Sequence, residues 1–179
     1  MSEFISDLKK IKERARSHME KGAVTENYKG DLKAVVKVLN EVLATEIVCV
    51  LRYKRHYFMA AGINSDGAKA EFLQNANEEQ QHIDWIATRI TQLNGEPNFN
   101  PDGLASRSHS EYSEGSDVIS MLKEDLYAER IAIESYSEIV RWLGDDDSTT
   151  RKLMADILKV EEEHAEDLKT LLEKFPSRA

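Results

Sequence analysis

The chain has 179 residues, 41% apolar and 32% charged, which is typical of a globular domain rich in amphipathic helix. Its formal net charge of −9 argues against a generally nucleic-acid-binding surface and fits a protein that handles cations. Cys49 is the only cysteine, so no intrachain disulfide can form, and no apolar run approaches the ~18 residues of a membrane span. We expect a cytoplasmic protein without a membrane partner.

The N-terminal residues 3–21 predict a short helix with Phe4, Leu8, Ile11 and Ala15 along one stripe. We expect this stripe to dock on the rest of the chain or on a neighbouring subunit. Basic residues cluster in the same segment, so a DNA-binding arm is an alternative, although interspersed acids weaken it. We treat residues 1–29 as an N-terminal helical extension and residues 30–179 as the main domain.

Glycines and prolines divide the remaining chain into four stretches of about 27 to 31 residues, each free to form one long helix. The predicted helices span about 31–61, 66–94, 116–143 and 148–175, so the fold class is all-α. Ser116 or Asp117 is expected to cap the third long helix, and Asp147 or Ser148 the fourth.

The connection at 95–115 is long for a compact domain. Its ~21 residues can extend up to roughly 70 Å, more than the ~40 Å length of one of these helices. We therefore expect a crossover that starts the third long helix at the opposite end of a four-helix bundle.

Two short motifs combine a carboxylate with an imidazole. Glu79 and His82 are three residues apart, as are Glu161 and His164, so each pair points from one face of its helix. A carboxylate and an imidazole presented in this way can bind one divalent metal ion.

The position of the turns connects these motifs with two further glutamates. The midpoint between Glu46 and Glu79 falls in the turn signal at 62–67, and that between Glu129 and Glu161 falls in the one at 144–148. Each helical hairpin therefore places a lone glutamate level with a Glu-x-x-His motif. Two facing hairpins would bring four carboxylates and two imidazoles to one di-metal site, as in the di-iron or di-manganese carboxylate proteins of the ferritin-like class.

The residues around these positions resemble bacterioferritin and its Dps-like relatives over about residues 30–175. The matching segments are Leu43-Ala-Thr-Glu46, Asn77-Glu-Glu79-Gln-Gln-His82, Asp125-Leu-Tyr-Ala-Glu129 and Val160-Glu161-Glu-Glu-His164. The resemblance implies a ferritin-like four-helix bundle with a long crossover between its second and third helices. It also implies a ferroxidase that oxidises Fe(II) with dioxygen or peroxide at an intrasubunit di-iron site and stores or detoxifies the ferric product.

The resemblance gives expectations for the metals and their surroundings. Two iron ions per chain are expected, with manganese possible, and Glu46 and Glu129 match terminal or bridging carboxylates. Tyr53 matches a tyrosine close to the metals, although a core tyrosine is equally consistent, and for Tyr136 the core interpretation is favoured. Asp125, one turn before Glu129, is expected to hold an imidazole N–H near the metals, with a solvated acid as the alternative.

The other polar candidates receive simpler interpretations. Cys49 is expected to be a buried core thiol. Gln80 occupies the position of the bacterioferritin methionine that ligates haem between two subunits, so no haem is expected. The remaining histidines are expected to be surface or local hydrogen-bonding groups: His18, His56 and His109.

Two other functions remain open: a di-metal peroxidase or manganese catalase, and a structural DNA-protecting particle of the Dps type. Too few residues follow His164 to complete the fourth helix and form the fifth helix that bacterioferritins place around their fourfold axes. Dps-type particles also lack that helix and close as 12-subunit shells. We therefore expect a homo-oligomeric 12-mer shell, with a dimer or a 24-mer as alternatives, and DNA is not expected as a partner.

Overall fold

The structure, a computed structural model, describes residues 7–62 and 65–175. Within these residues every regular element is helical: α1 Leu8–Arg16, a 3-10 turn Met19–Lys21, α2 Leu32–Met59, α3 Ser65–Gln92, α4 Leu104–Arg107, α5 Val118–Leu143 and α6 Ser148–Glu173. The all-α prediction is confirmed, and each end of the four long helices lies within two residues of the predicted one. None of the helices in this described part is both long and apolar enough to cross a membrane.

Aspartates begin three of the long helices. Asp31 accepts hydrogen bonds from the amides of Lys33 and Ala34 at the start of α2. Asp117 caps α5 in a capping box with Ser120, and Asp147 caps α6. Of the alternatives that the sequence offered, the structure therefore uses the aspartate in both cases, since a carboxylate satisfies the free amides of the first turn.

The bundle core has two apolar halves with a polar layer between them. One half contains the first part of α2 and α6 with the last part of α3 and α5: Val35, Leu39, Val42, Leu43, Ile83, Ile86, Ile90, Ile139, Leu143, Met154 and Ile157. The other half contains the opposite ends of the same helices: Cys49, Tyr53, Ala68, Phe72, Ala76, Met121, Leu122 and Leu168. The predicted metal ligands lie between the two halves on all four helices.

The distribution of these clusters also fixes the topology. The α2–α3 turn lies at the second half of the core, and the α5–α6 turn lies at the first half. Helix α3 therefore ends at the opposite end of the bundle from the start of α5, and the two helices are parallel. The connecting segment, which contains α4, runs along α2 for the length of the bundle, as predicted.

The N-terminal extension differs from the prediction. A single helix over 3–21 was expected; in the described residues α1 ends at Arg16, and none of its residues is buried, so its apolar stripe does not dock on its own bundle. Phe4 lies outside the described residues. The later part of the extension does contact the bundle: Val24 joins the core, and the Tyr28 hydroxyl donates to Asp147 Oδ2 at 2.9 Å. The boundary at residue 29 stays a prediction.

Candidate metal centre

Six buried ionisable side chains form the polar layer in the middle of the bundle, and none is more than 3% exposed. They are Glu46 on α2, Glu79 and His82 on α3, Glu129 on α5, and Glu161 and His164 on α6. The three-residue spacing places each imidazole one turn from its carboxylate, and the turn-centred spacing places the lone glutamates at the same level. The structure thus brings together all six ligands that the sequence predicts.

These side chains form two overlapping groups, in each of which four ligand atoms lie within 4.8 Å of one another. Glu46, Glu79, His82 and Glu161 make one group; Glu79, Glu129, Glu161 and His164 make the other. Glu79 and Glu161 belong to both. If two cations were bound, Glu79 and Glu161 would help to hold both of them. Glu46 and Glu129, called the terminal glutamates below, would each help to hold one.

Three carboxylate oxygens surround the Nδ1 atom of His82. His82 Nδ1 lies 3.1 Å from Glu79 Oε2, 3.3 Å from Glu46 Oε2 and 3.1 Å from Glu161 Oε1. A single N–H cannot point well at three oxygens that come from three different helices. Convergence of carboxylates and an imidazole nitrogen on one point is the geometry of a cation site.

Several atoms of the centre lack a well-oriented hydrogen bond, although nearly all buried polar atoms in proteins have one. Among the described residues these atoms include Glu79 Oε1, Glu129 Oε2, both carboxylate oxygens of Glu161 and His164 Nδ1. They all face the interior of the six-residue layer. Hard oxygen donors with one imidazole per position suit iron or manganese, so the residues present fit a di-metal centre.

The protonation of the centre follows from burial and from the contacts among its members. Burial, reinforced by the charge of Glu79, raises the pKa of Glu46 to about 8. Burial also raises the pKa of Glu129 well above its usual range. For His164, burial favours the neutral ring, but the carboxylates of Glu161 and Glu79 beside Nδ1 prevail and raise its pKa to about 12.

The two shared carboxylates behave in the opposite way. Burial and neighbouring carboxylates would raise the pKa of Glu79 and Glu161, but the adjacent imidazoles, and for Glu79 also the Glu46 carboxyl, hold both below the usual range. The pKa of His82 is raised in turn by the carboxylates around it, against the effect of burial. Without metal, protons on two glutamates and two imidazoles therefore balance the cluster where two divalent cations otherwise would.

Two tyrosines hold the terminal glutamates in a reciprocal arrangement. The Tyr53 hydroxyl on α2 donates to Glu129 Oε1 on α5, and the Tyr136 hydroxyl on α5 donates to Glu46 Oε1 on α2. Tyr53 also accepts a hydrogen bond of 3.3 Å from Asn75 Nδ2. Tyr53 was an open prediction and lies against the centre; Tyr136 was interpreted as a core residue and contacts the centre in the same way.

Asp125 is buried but does not contact His82 or His164. It accepts from Arg52 Nε at 2.7 Å and from His56 Nδ1 at 2.8 Å. The interpretation of His56 as a surface or local group is wrong, because its Nε2 also reaches the carbonyl of Ser113 at 3.0 Å, far away in sequence. Arg52 donates further to Ser110 Oγ and the Glu111 carbonyl, so this buried network fastens the crossover to α2 and α5.

Sequence reasoning also missed Glu78, whose Oε2 accepts from His164 Nε2 at 2.6 Å. An acid beside a ligand on an acidic helix carries no special signal, although its position one residue before Glu79 could have marked it as a neighbour. The other candidates behave as expected: Cys49 is a free, buried thiol, and His18 is exposed. His109 is partly buried beside Glu41.

Comparison with known proteins agrees with this geometry. Residues 36–177 match the family described as the ferritin-like domain. The chain is 29% identical over 139 residues to the bacterial ferritin of Neisseria meningitidis, covering 74% of this chain and 82% of that protein. It is 26% identical over 136 residues to the bacterioferritin of Desulfovibrio desulfuricans, covering 75% and 72%.

Solved structures show the same fold. The dodecameric thioferritin of Bacteroides fragilis, a bacterioferritin-related protein, superposes with a TM-score of 0.78 at 31% identity, covering 81% of this chain and 88% of that one. Dps from Thermosynechococcus elongatus superposes with a TM-score of 0.76 at 22% identity over 80% of this chain and 92% of that one, a likeness of fold. The chain therefore belongs to the ferritin-like domain family.

Proposed function

We propose that this protein is a ferroxidase that oxidises Fe(II) at the six-residue centre and stores or detoxifies the ferric product. The observation that carries the proposal is the pair of overlapping ligand groups that share Glu79 and Glu161. Two Fe(II) ions held side by side can together supply two electrons to one oxidant, which a single ion cannot do. Similarity to bacterial ferritin and bacterioferritin supports the same function.

The residues of the centre have distinct parts in this proposal. Glu79 and Glu161 hold both substrate ions, while Glu46 with His82 and Glu129 with His164 complete one position each. Two Fe(II) ions each lose one electron, and dioxygen or peroxide accepts them. Incoming cations displace the protons that the buried ligands carry, so metal binding and proton release are coupled. Tyr53 and Tyr136 keep the terminal carboxylates oriented through their hydroxyl groups.

The proposal extends to cofactors, assembly and compartment. Two iron ions per chain are the expected content, and manganese fits the same ligands. No haem is included, because Gln80 stands at the position of the haem-ligating methionine and an amide is a poor axial ligand. A 12-subunit shell is supported by the dodecameric relative. A reducing compartment such as the cytoplasm suits the free thiol of Cys49.

The test is anaerobic loading with Fe(II), followed by addition of dioxygen or peroxide and measurement of ferric absorbance and oxidant consumption. Glu129→Ala and His164→Ala should each slow the fast phase by roughly 10- to 100-fold or more, because each removes a ligand of one position. Glu163→Ala is the matched control, since Glu163 lies on the same helix but is exposed and pairs with Lys159. Wild-type rates in both ligand variants, with unchanged helix content, would contradict the proposal. Running both oxidants also identifies a catalase, which would convert peroxide to water and dioxygen without net oxidation of Fe(II). A peroxidase would reduce peroxide without net oxidation of Fe(II) only when another electron donor is added.

A further inference from the structure

Glu78 is the acid that reaches the metal centre from outside the bundle. It lies one residue before Glu79 on α3, and its side chain is 33% exposed, whereas that of His164 is 3% exposed. The 2.6 Å contact between Glu78 Oε2 and His164 Nε2 crosses from α3 to α6. A carboxylate that accepts from an imidazole N–H at this distance makes one of the stronger hydrogen bonds found in proteins.

This contact determines which nitrogen of His164 is available to a metal ion. A carboxylate has no proton to donate, so in this contact the N–H belongs to His164 and the proton stays on Nε2. The opposite nitrogen, Nδ1, faces Glu79 Oε1 at 3.6 Å and Glu161 Oε2 at 3.4 Å, the two carboxylates shared by both ligand groups. A carboxylate behind a ligand imidazole fixes the ring orientation and makes the free nitrogen a better donor.

The second imidazole lacks this support. Within residues 7–62 and 65–175, no hydrogen bond is made by His82 Nε2, and the ring instead lies beside Trp85, with ring centroids 5.6 Å apart. The rings of His82 and His164 are themselves 6.5 Å apart. The two metal positions thus have similar inner ligands but unequal outer support.

Both imidazoles form part of one cleft between α3 and α6, of about 240 Å³. Three acids line it: Glu78, Glu163 and Asp167. Glu163 pairs with Lys159 at 3.0 Å and does not touch a ligand. Glu78 therefore contributes negative charge to the cleft and also accepts a hydrogen bond from His164. Glu163 contributes only the negative charge.

We propose that Glu78 is a positioning residue that fixes His164 through its Nε2–H and makes the Glu129–His164 position the tighter of the two metal positions. The inference rests on the proposed function, because it assumes that the centre binds two divalent ions. The cleft acids then differ in kind: Glu78 sets the affinity of one position, and Glu163 contributes only to the electrostatic potential of the surface.

The test is anaerobic calorimetric titration of the full-length protein with Co(II), with the visible Co(II) spectrum recorded at each equivalent. The wild type should bind two Co(II) ions per chain with unequal affinities. Glu78→Ala should weaken the tighter equivalent by about 10- to 100-fold and alter the spectrum of that ion, while leaving the other equivalent unchanged. Glu78→Gln keeps an acceptor oxygen without charge and should weaken the same equivalent by about fivefold.

Glu163→Gln removes the same charge from the same cleft and should leave both equivalents and the spectrum as in the wild type. Circular dichroism establishes folding, and if Glu78→Ala does not fold, the comparison of the two glutamine variants decides. Equal affinities in Glu78→Gln and Glu163→Gln, or wild-type binding by Glu78→Ala, would overturn the inference. A wild type that binds fewer than two Co(II) ions and oxidises no Fe(II) would instead overturn the proposed function.

Discussion

Glu46 and Glu129 each depend on a tyrosine that belongs to the other hairpin. Tyr136 donates to Glu46 from α5, and Tyr53 donates to Glu129 from α2. Each hydroxyl is itself buried, and burial raises the pKa of both phenols well above the usual range, so they remain donors. The tyrosines therefore give one oxygen of each terminal glutamate a hydrogen-bond donor when no cation is bound.

Removing one of these donors should destabilise the metal-free protein. In Tyr136→Phe, Glu46 Oε1 loses its donor inside the core, which should lower the free energy of unfolding by about 1–3 kcal/mol. Urea denaturation in the presence of a chelator measures this. The control is Tyr127→Phe, because the Tyr127 side chain lies on the same helix but is exposed. This substitution should change the free energy of unfolding by less than about 0.5 kcal/mol. Equal midpoints for Tyr136→Phe and the wild type would refute the stabilising role of this hydroxyl.

At the scale of residues, the sequence predicts the candidate metal ligands better than the residues that form hydrogen bonds around them. The six ligands follow from helical periodicity and from turn positions, which are local properties of the chain. Glu78, Asn75 and the pairing of Asp125 with His56 depend on how neighbouring helices are rotated about their axes. That rotation results from packing of the whole core, so a residue such as Glu78 looks like any solvated acid until α6 is placed beside it.

At the scale of the elements, Asp147, which caps α6, also forms hydrogen bonds with α3 and with the N-terminal extension. Asp147 accepts from the amide of Thr150 at 2.9 Å, from Arg89 on α3 at 2.9 Å and from the Tyr28 hydroxyl at 2.9 Å. Burial would raise the pKa of Asp147, but the hydrogen bonds from Thr150 and Tyr28, together with the charge of Arg89, hold it below its usual value of 3.8.

The sign of this shift gives a pH dependence. A carboxyl with a lowered pKa in the folded state stabilises that state above its unfolded pKa, and the contribution is lost as the pH falls through the folded-state value. Asp147→Ala should therefore reduce stability by at least about 1–2 kcal/mol at pH 7. The difference from the wild type should shrink below pH 3.8, the usual value.

Thermal unfolding between neutral and acid pH checks this expectation. Asp145→Ala removes a charge from the same turn, but the Asp145 side chain is 94% exposed and pairs with Arg151, so little change is expected at any pH. A stability difference for Asp147→Ala that stays constant down to acid pH would show that ionisation of Asp147 is not its source.

The helices themselves follow the sequence closely where they bury a face. The four long ones end within two residues of their predicted ends, because each has a continuous apolar stripe and a polar cap or turn residue. The N-terminal helix fails at Ser17 and His18, which adopt extended and left-handed backbone conformations. With no buried residue in α1, packing does not offset the cost of continuing the helix, so the apolar pattern there is a poor guide to its length.

At the scale of the whole molecule, the exposed apolar side chains bear on the proposed assembly. Large apolar side chains are exposed on several helices, including Leu51, Phe58, Trp85, Tyr127 and Trp142. In the proposed 12-subunit shell, contacts between chains would cover some of these side chains.

Light scattering on a size-exclusion column measures the assembly directly. Twelve chains of 20.4 kDa should give an iron-free particle of about 245 kDa. A mass near 41 kDa would instead show a dimer, and one near 490 kDa would show a 24-mer; either result would exclude the 12-subunit shell.

The shared carboxylates have a consequence for how the protein could be divided. Neither helical hairpin contains all the residues of one ligand group. The group of Glu46 and His82 also needs Glu161 from the other hairpin, and the group of Glu129 and His164 also needs Glu79. If the backbone were opened at the exposed Asp102 in the crossover, each half would keep one Glu-x-x-His motif and one of the two tyrosines, Tyr53 or Tyr136, that donate to the centre. Neither fragment alone would then bind iron at a complete position. Iron binding would be restored only when the two fragments associate, so it would measure their association.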